Sequence, residues 1–331
     1  MPNTAKSDNP SIQLSGIRRF HTSLDKRISS FFLLPSSTLP FDCLRIGVAG
    51  VLLFKTATEY GNLKDIYGNR GLVQWVLSEI TLPQYAPRMS WFANLAINYG
   101  ISEDLCVYAF TSLYVFGLCG LLVGWQSKSM ACLTWFTHLT LTNSAALSRY
   151  GVDMFGNIAL FYCILMPIGQ FVSIDQKLKR APQGCTTYSR LCLRLLQFHV
   201  CVIYLSAGLE KSFGSQWWNG EVIWRALMMP QFSVYDFSWL ANFQLLAKFA
   251  SWSTLLIEIG YCVFIWVPAT RTMWLLLSVG LHVGIGAVLG LWAFSLMMIV
   301  LNISAFGTDI IGGLFNSNLS LRFFTERSTY L

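Results

Sequence analysis

The chain has 331 residues, of which 54% are hydrophobic and only 12% are charged, and its mean hydropathy is +0.51. Soluble domains usually carry about a quarter charged residues, so this composition excludes an ordinary soluble domain and indicates an integral membrane protein in contact with the lipid bilayer. The net charge of +7 is accounted for by the basic connecting segments described below, so no nucleic-acid partner is predicted.

The first 40 residues contain no long apolar run. Within them, hydrophobic residues recur at helical spacing from Ile17 to Phe31, interleaved with lysine and arginine. This pattern predicts a cytoplasmic tail over residues 1–40, with an amphipathic helix lying on the anionic inner leaflet. A fully solvated tail is the alternative.

Apolar runs of about 18 or more residues follow, each long enough to cross a hydrocarbon core of about 30 Å as a helix. They lie near residues 41–60, 104–124, 129–147, 154–173, 191–208, 244–266, 272–290 and 291–311. We therefore predict an all-α fold, a polytopic transmembrane helical bundle of about eight spans over residues 41–311, with a C-terminal tail at 312–331. The soft break near Gly290 leaves counts of seven and nine open.

Basic residues are distributed unevenly between alternate connecting segments. With the N-terminus inside, roughly 13 lysines and arginines lie on the inner side and roughly 6 on the outer side, as the positive-inside rule requires. Both termini are therefore predicted to be cytoplasmic. The stretch YLSAGLEKSFGSQWWNG, residues 204–220, then lies at the outer end of the fifth span.

Nine cysteines occur, and all but Cys185 fall within predicted spans. They form no CxxC pair, and no histidine is spaced for zinc, so we predict packing residues and neither a disulfide framework nor a metal site.

Charged residues inside predicted spans need a partner or access to water. Arg45, Arg194 and Lys248 lie near span ends, where snorkelling of the side chain to the interface accounts for them. Lys55 and Glu59 are four residues apart on one helix face and are predicted to pair.

Glu258 lies deeper in its span and has no partner in its own helix, so it needs a cation, a hydrogen-bond network or a proton. Histidines occur in three spans, as His138, His199 and His282. With Glu258 and Lys211 they suggest a polar cavity inside the bundle, which suits either an enzyme or a transporter. A transporter should show repeats or broken helices in matching halves, and no convincing repeat is present.

Helical phasing separates the two charges of the stretch at 204–220. Lys211 shares a face with Tyr204, whereas Glu210 shares one with His199. A lysine buried beneath the following aromatic loop becomes neutral more readily, and a neutral lysine is a base. The alternative is a plain helix end, with a snorkelling lysine and with Trp217 and Trp218 in the interfacial aromatic belt.

The stretch LLQFHVCVIYLSAGLEKSFGSQWW resembles the membrane segment of vitamin K-dependent gamma-glutamyl carboxylases and of the wider horizontally transferred transmembrane domain family. Lys211 falls at the position of the family's catalytic base, and His199 stands where the carboxylases have glutamine. The segment HVGIGAVLGLWAFSLMMIVLN, residues 282–302, resembles a second family pattern, in which a histidine precedes a phenylalanine by twelve residues, here His282 and Phe294.

This resemblance implies that Lys211 deprotonates a reduced quinone of the vitamin K type. Oxygen then attacks the quinol, and the resulting strong base acts on a peptide. His282 is implied as a second catalytic residue. The remaining pocket residues expected to bind substrate are Tyr204, His199, Glu258, Trp217, Trp218 and Asn143.

Two features depart from the carboxylases. Asn143 is followed by Ser144 where they have a histidine tied to the carboxylation step, and we expect no large soluble domain after the last span. Quinol deprotonation is therefore expected more than peptide carboxylation. The chain is similar to short bacterial members, which implies a bacterial inner membrane. Some of these members accompany the maturation of secreted toxins of the sporulation-delay type, so a non-catalytic accessory factor for a secreted peptide is the alternative to an enzyme.

Overall fold

Helices make up 80% of the computed structural model, which describes residues 25–72, 74–180, 185–232 and 234–310. These residues contain no strand, although an isolated antiparallel bridge pairs Ser36 with Thr186. The all-α prediction is confirmed. Most of the predicted interfacial helix and the whole tail at 312–331 lie outside the described residues.

The helices are α1 (residues 25–33), α2 (Leu39–Glu59), α3 (Leu63–Tyr67), α4 (Trp75–Thr81), α5 (Met89–Ile97), α6 (Glu103–Val123), α7 (Ser127–Ser144), α8 (Gly151–Leu165), α9 (Ile174–Lys177), α10 (Thr187–Phe213), α11 (Ser215–Asn219), α12 (Glu221–Met228), α13 (Gln244–Phe264), α14 (Pro268–Leu289) and α15 (Trp292–Asn302). Short 3-10 turns occur at Tyr60–Asn62, Ala146–Ser148, Pro230–Phe232 and Ser238–Asn242, and a π-helical turn, Ile303–Gly307, continues α15.

Each of the eight predicted spans contains one helix, in the predicted order: α2, α6, α7, α8, α10, α13, α14 and α15. Four helical segments are long and apolar enough to cross a membrane, namely Glu103–Val123, Thr187–Phe213, Pro268–Leu289 and Trp292–Ile310. They support a membrane protein. The count of eight spans stays a prediction, because α8 has only 15 residues and α2 carries four charged side chains.

The long helices pack as two groups that share α15. On one side α2, α6, α7 and α8 contact one another, and on the other α10 packs on α13 and α13 on α14. Helix α15 contacts α14 in the second group and both α2 and α8 in the first. Fully buried apolar side chains such as Phe41, Leu52 and Met297 lie between these helices. Helix α13 thereby brings α10 and α14 together.

Arg45 on α2 is fully buried, with 0% of its surface exposed. Its Nε donates to Asp42 Oδ1 at 3.1 Å. Its Nη1 donates to the carbonyl oxygen of Leu122 at 2.9 Å and also to that of Leu121. Its Nη2 donates to the carbonyl oxygen of Val172. The prediction that Arg45 snorkels was wrong. The carbonyls at the end of α6 and in the turn after α8 face inward and solvate the guanidinium in place of water.

Asp42 completes this clamp from the other side. Its carboxylate accepts hydrogen bonds from the backbone N–H groups of Gly169 and Phe171, both at 2.6 Å, and of Val172 at 3.1 Å. One ion pair therefore fixes the start of α2, the end of α6 and the turn that follows α8.

A second carboxylate, that of Asp175, holds the turn between α6 and α7. It accepts from the Gln126 and Ser127 backbone N–H groups at 2.9 and 2.7 Å and from the Ser127 hydroxyl at 2.7 Å. Gly124 ends α6 with φ of +72°, and a Cβ there would lie 2.4 Å from Ser173 Cβ. The chain therefore needs glycine at this position to bring Asp175 against α7.

Burial of Asp175 acts to raise the pKa of its carboxyl, but the hydrogen bonds from Ser127 and Gln126 outweigh it, so the pKa lies below its usual value. A carboxyl whose pKa is lower in the folded state adds stability above its unfolded pKa of about 3.9, and that stability is lost as the pH falls through the folded pKa.

We expect Arg45→Met to lower the free energy of unfolding by roughly 3 kcal/mol, because buried carbonyls and Asp42 would lose their donor. Thermal melting of the full chain in detergent measures this. Arg70 is exposed, so Arg70→Met should melt like the wild type. An Arg45→Met protein that melts within about 2 °C of wild type would contradict the clamp.

For Asp175→Asn we expect a loss of about 1 kcal/mol at pH 7, the usual effect of removing a helix-capping side chain. The difference from wild type should persist down to about pH 4 and shrink below it, because protonation removes the same interaction from the wild type. Melting curves of both proteins across this pH range test whether their difference in stability shrinks on acidification. A difference that widens as the pH falls would refute the prediction.

Candidate functional site

Helix α10 approaches α13 closely at the level of Gly208. A Cβ added to this buried glycine would lie 2.7 Å from Ile259 Cγ1 and 3.1 Å from Glu258 Cβ. Glycine therefore allows the two backbones to meet here, as small residues do at membrane helix interfaces. One turn further along α10, Lys211 is brought level with Glu258.

Lys211 and Glu258 form an ion pair across this contact. Lys211 Nζ lies 2.7 Å from both Glu258 Oε1 and Oε2, and the two side chains are 26% and 10% exposed. Lys211 Nζ also lies 5.5 Å from the centroid of the Trp217 ring. The structure thus supplies the partner that Glu258 requires. A base must be neutral, so Lys211 has to pass a proton to another group before it can act as one.

A second polar group lies on the same face of α10, toward the interior. Tyr204 Oη lies 2.7 Å from His282 Nε2, and Asn302 Nδ2 donates to Tyr204 Oη at 2.8 Å and to the Met298 carbonyl oxygen at 2.8 Å. All three side chains of this group are buried. Helices α10, α14 and α15 each contribute one of them.

One tautomer of His282 fits these contacts well. Asn302 donates to Tyr204 Oη, which leaves the tyrosine hydroxyl hydrogen available to donate to His282 Nε2. A neutral imidazole with an acceptor Nε2 carries its proton on Nδ1. His282 Nδ1 is buried, and no residue in the described part of the chain is its hydrogen-bond partner. A buried N–H of this kind has a free energy cost unless a ligand or water accepts from it.

Aromatic rings surround this group. Tyr261 on α13 stacks on Tyr204 with ring centroids 4.2 Å apart and planes at 19°, and Phe294 on α15 meets the His282 ring edge-on at 5.8 Å. The predicted spacing of His282 and Phe294 therefore brings the two rings into contact. Aromatic rings therefore pack against both Tyr204 and His282.

Two predicted site residues lie elsewhere. His199 is twelve residues before Lys211, about 18 Å along the helix axis, and its Nδ1 is hydrogen-bonded to Tyr162 Oη on α8. The side chain of Asn143 donates to the Pro87 carbonyl oxygen at 2.9 Å and accepts from Arg149 at 3.2 Å. Both residues hold neighbouring segments, and neither contacts the Lys211 group.

Ser144, the position at which the carboxylases have histidine, also holds backbone. Its hydroxyl oxygen accepts from the Met89 N–H at 2.7 Å, and its carbonyl accepts from the Ser78 hydroxyl at 2.9 Å. Two serines thus attach α4 and α5 to the end of α7.

The two tryptophans differ in position. Trp217 lies beside Lys211, whereas Trp218 is 54% exposed and donates to the Ser212 carbonyl oxygen at 2.8 Å. Trp218 also accepts, through its own carbonyl, from Trp252 Nε1 at 3.0 Å. Trp217 therefore belongs to the candidate site and Trp218 to the surface beside it.

A further ion cluster lies between α2 and α8. Lys55 Nζ is 2.7 Å from Glu59 Oε1 and 3.0 Å from Asp153 Oδ1, and the Tyr67 hydroxyl donates to Glu59 Oε2 at 2.9 Å. The predicted Lys55–Glu59 pair is confirmed, and Asp153 and Tyr67 join it. This cluster is a buried joint between helices.

Sequence reasoning missed Asn302, Tyr261 and the orphan nitrogen of His282. Asn302 had a detectable signal, because a lone amide in the run LMMIVLNIS needs a hydrogen-bond partner in a membrane. Tyr261 had none, since stacking of two tyrosines depends on how two distant helices meet.

Lys211→Met should destabilise the protein by roughly 2 kcal/mol, because it leaves Glu258 buried without a counter-charge. Adding Glu258→Gln to this variant removes that charge and should recover most of the melting temperature. Additive losses in the double variant, measured by thermal melting in detergent, would show that the two side chains do not interact in solution.

No protein-family model, no curated protein and no solved structure matches this chain. The resemblance to the carboxylase-like transmembrane family therefore stays a prediction, and the functional argument depends on the geometry around Lys211.

Proposed function

We propose that this protein is a carboxylase-like integral membrane protein of about eight spans, with both termini cytoplasmic, in a bacterial inner membrane. At its outer side, the group around Lys211 binds a reduced quinone from the lipid and uses it to modify a peptide. One observation carries the proposal. On one face of α10, Lys211 pairs with a carboxylate of α13 and Tyr204 pairs with a histidine of α14.

The distribution of charge supports this orientation. Lysines and arginines at the Arg45 end of the bundle outnumber the acidic residues there, and the opposite holds at the Lys211 end. The basic residues of the Arg45 end are Lys26, Arg27, Arg45, Lys128, Lys177, Lys179, Arg180, Arg190, Arg194 and Arg271, and the acidic ones are Asp25, Asp42, Asp175 and Asp309. By the positive-inside rule the Arg45 end is cytoplasmic and Lys211 faces outward.

The residues present fit a reduced quinone, which is a flat ring with two oxygens. His282 Nδ1 lacks a partner among the described residues and would face one oxygen, Lys211 lies on the face of α10 that carries Tyr204, and the stacked tyrosine rings suit a flat ring. A bound reduced quinone would supply exchangeable hydroxyl protons and a pair of electrons. Tyr204 would hold the His282 ring in orientation through its hydrogen bond.

Lys211 can act as a base only after it loses a proton, and Glu258 is placed to take it. Transfer breaks an N–H bond of Lys211 and forms an O–H bond on Glu258, so the pair is electrically neutral before and after. Both oxygens of Glu258 are 2.7 Å from Nζ, so the proton has a short path to either one. Lys211 is then the base, and Glu258 the group that makes it available.

Lys211→Met should abolish quinol epoxide formation by the purified protein, and Glu258→Gln should reduce it by roughly 100-fold or more, the usual contribution of a proton-transfer group. The double variant Lys211→Met/Glu258→Gln should be equally inactive although it recovers most of the melting temperature. Its loss of activity could then not be attributed to unfolding. Glu210 is exposed on the same helix, so Glu210→Gln is the matched control and should keep full activity. Wild-type turnover in the double variant would overturn the proposal.

The alternative function, a non-catalytic accessory factor for a secreted peptide, is favoured by the surface around Trp218. Phe213 is 86% exposed beside it, and Tyr235 and Trp239 are exposed in the connection between α12 and α13. These exposed aromatic side chains and the 62–103 loop are the surfaces on which we propose that a peptide binds. Such binding needs no proton transfer.

The two functions give different outcomes with one variant. If the accessory function holds, a secreted peptide encoded by a neighbouring gene should co-purify equally with wild type and with Lys211→Met/Glu258→Gln, and Trp218→Ser should weaken its binding. If the enzymatic function holds, the double variant should bind peptide and leave it unmodified, as mass spectrometry of the recovered peptide would show.

A further inference from the structure

The connection between α3 and α6 is apolar for a segment that joins two helices at the end of a bundle. Residues 72–101 contain two charged side chains, those of Glu79 and Arg88, whereas about a quarter of the residues in a soluble domain are charged. The connection contains α4 with 7 residues and α5 with 9 residues. Helices of this length extend roughly 10–14 Å and cannot cross a hydrocarbon core of about 30 Å. The two helices and the chain between them, residues 75–97, form the α4–α5 segment.

Large apolar side chains face away from the bundle along both helices. Ile80 on α4 is 76% exposed, and Leu95 on α5 is 61% exposed. The other exposed large apolar side chains of the segment are Val76, Leu77, Tyr85, Trp91 and Ile97. Exposed apolar surface on this scale marks a place of contact with another protein or with lipid.

The chain between α4 and α5 satisfies its own backbone groups. Arg88 is 5% exposed, and its guanidinium donates to the carbonyl oxygens of Pro83 at 2.9 Å and Gln84 at 3.1 Å. Pro87 has no N–H group, and its carbonyl oxygen accepts from the Asn143 side chain at 2.9 Å. Water would serve as the partner of such carbonyls in an aqueous loop, whereas backbone in contact with lipid needs partners within the protein.

A cluster of rings gives the depth of α5 relative to the long helices. The Phe92 ring of α5 lies 4.6 Å from that of Phe110 and 6.2 Å from that of Phe136, between centroids. Phe110 is seven residues after Glu103, the first residue of α6. Phe136 is eight residues before Ser144, the last residue of α7. These intervals correspond to about 10–12 Å along each helix axis, so α5 lies beside the long helices and not beyond their ends.

Lipid fits this surface better than a second protein. Helix α6 is long and apolar enough to cross a membrane, and its Leu113, 41% exposed, lies one turn beyond Phe110. The exposed apolar surface of the α4–α5 segment is therefore continuous with that of a helix suited to lipid. A protein interface has a polar rim, but the Arg88 charge is enclosed, and Glu79 accepts a hydrogen bond from the Ser90 hydroxyl of the same segment at 2.7 Å.

We propose that the α4–α5 segment is inserted into the lipid leaflet at the Lys211 end of the bundle, where it lies beside α6 and does not cross the membrane. Its exposed aliphatic side chains contact the acyl chains, and the rings of Tyr85 and Trp91 lie toward the headgroups, where such rings are enriched. This surface does not include Lys211, so the inference is independent of the chemistry proposed there.

The test places a cysteine at Ile80 or Leu95 in the full chain and reconstitutes each variant in phosphatidylcholine nanodiscs. Alkylation by a charged, membrane-impermeant maleimide is followed by peptide mass spectrometry, which separates the new thiol from the native ones. Ile80→Cys and Leu95→Cys should react roughly tenfold or more slowly than a thiol in water, because hydrocarbon excludes a charged reagent and apolar surroundings raise the pKa of a thiol.

Asn62→Cys is the matched control. Asn62 is exposed between α2 and α3, and its side chain does not cap α3, so the change should leave the fold intact and the thiol in water. Equal alkylation rates for the three variants would overturn the proposal.

A second measurement identifies what covers the two positions. The wild type, at one copy per nanodisc, is irradiated with phosphatidylcholine that carries a diazirine on its acyl chain, and the adducts are located by peptide mass spectrometry. Adducts are expected in the peptides that contain Ile80 and Leu95, as in the α6 peptide that contains Leu113. Slow alkylation of the cysteine variants without lipid adducts would show that a bound polypeptide covers the segment, and this result would refute the insertion.

Discussion

The structure depends on one constraint, which is that charged and polar groups between apolar helices must find their partners within the chain. Arg45 donates to carbonyls at the end of α6 and in the turn after α8. Lys128 does the same at the end of α8, where Nζ donates to the Ile164 carbonyl oxygen at 2.6 Å and also to that of Met166. Long basic side chains therefore join helices whose ends would otherwise present unpaired carbonyls.

The Lys55 and Lys211 clusters differ in the number of carboxylates that each lysine contacts. Lys55 has two carboxylates within 3.0 Å, so transfer of its proton to one would leave the other charged and unpaired. Lys211 contacts one carboxylate among the described residues, and proton transfer within that pair leaves no net charge behind. Lys211 is also partly exposed, whereas Lys55 is enclosed. Chemistry is therefore expected at the second pair and mechanical support at the first.

Local spacing was sufficient to predict the helices and the contacts within them. The eight apolar runs each contain a helix, and Lys55 pairs with Glu59 because residues four apart share a helix face. The same phasing separated Lys211 from Glu210. These predictions require nothing beyond the 3.6-residue period.

Contacts between distant segments were not predictable in this way. Glu258 was predicted to need a cation, a hydrogen-bond network or a proton, but its pairing with Lys211 depends on the approach of α10 to α13 at Gly208. Arg45 was expected to snorkel because it lies near a span end, and its carbonyl partners lie far along the sequence. His199 was placed with the site by the family resemblance and by its position in a span, yet it faces Tyr162 on α8. Side-chain chemistry indicates a need for a partner, and only packing determines which residue meets it.

Asn302 limits how the interior polar group can bond to its surroundings. Its amide nitrogen gives both hydrogens away, to Tyr204 and to the Met298 carbonyl, and its Oδ1 accepts from the Ser278 hydroxyl at 3.2 Å. The Asn302 side of the group is therefore saturated. Among the described residues, His282 Nδ1 is the atom of this group that lacks a partner, so the side of the histidine ring fixes where a further molecule can join it.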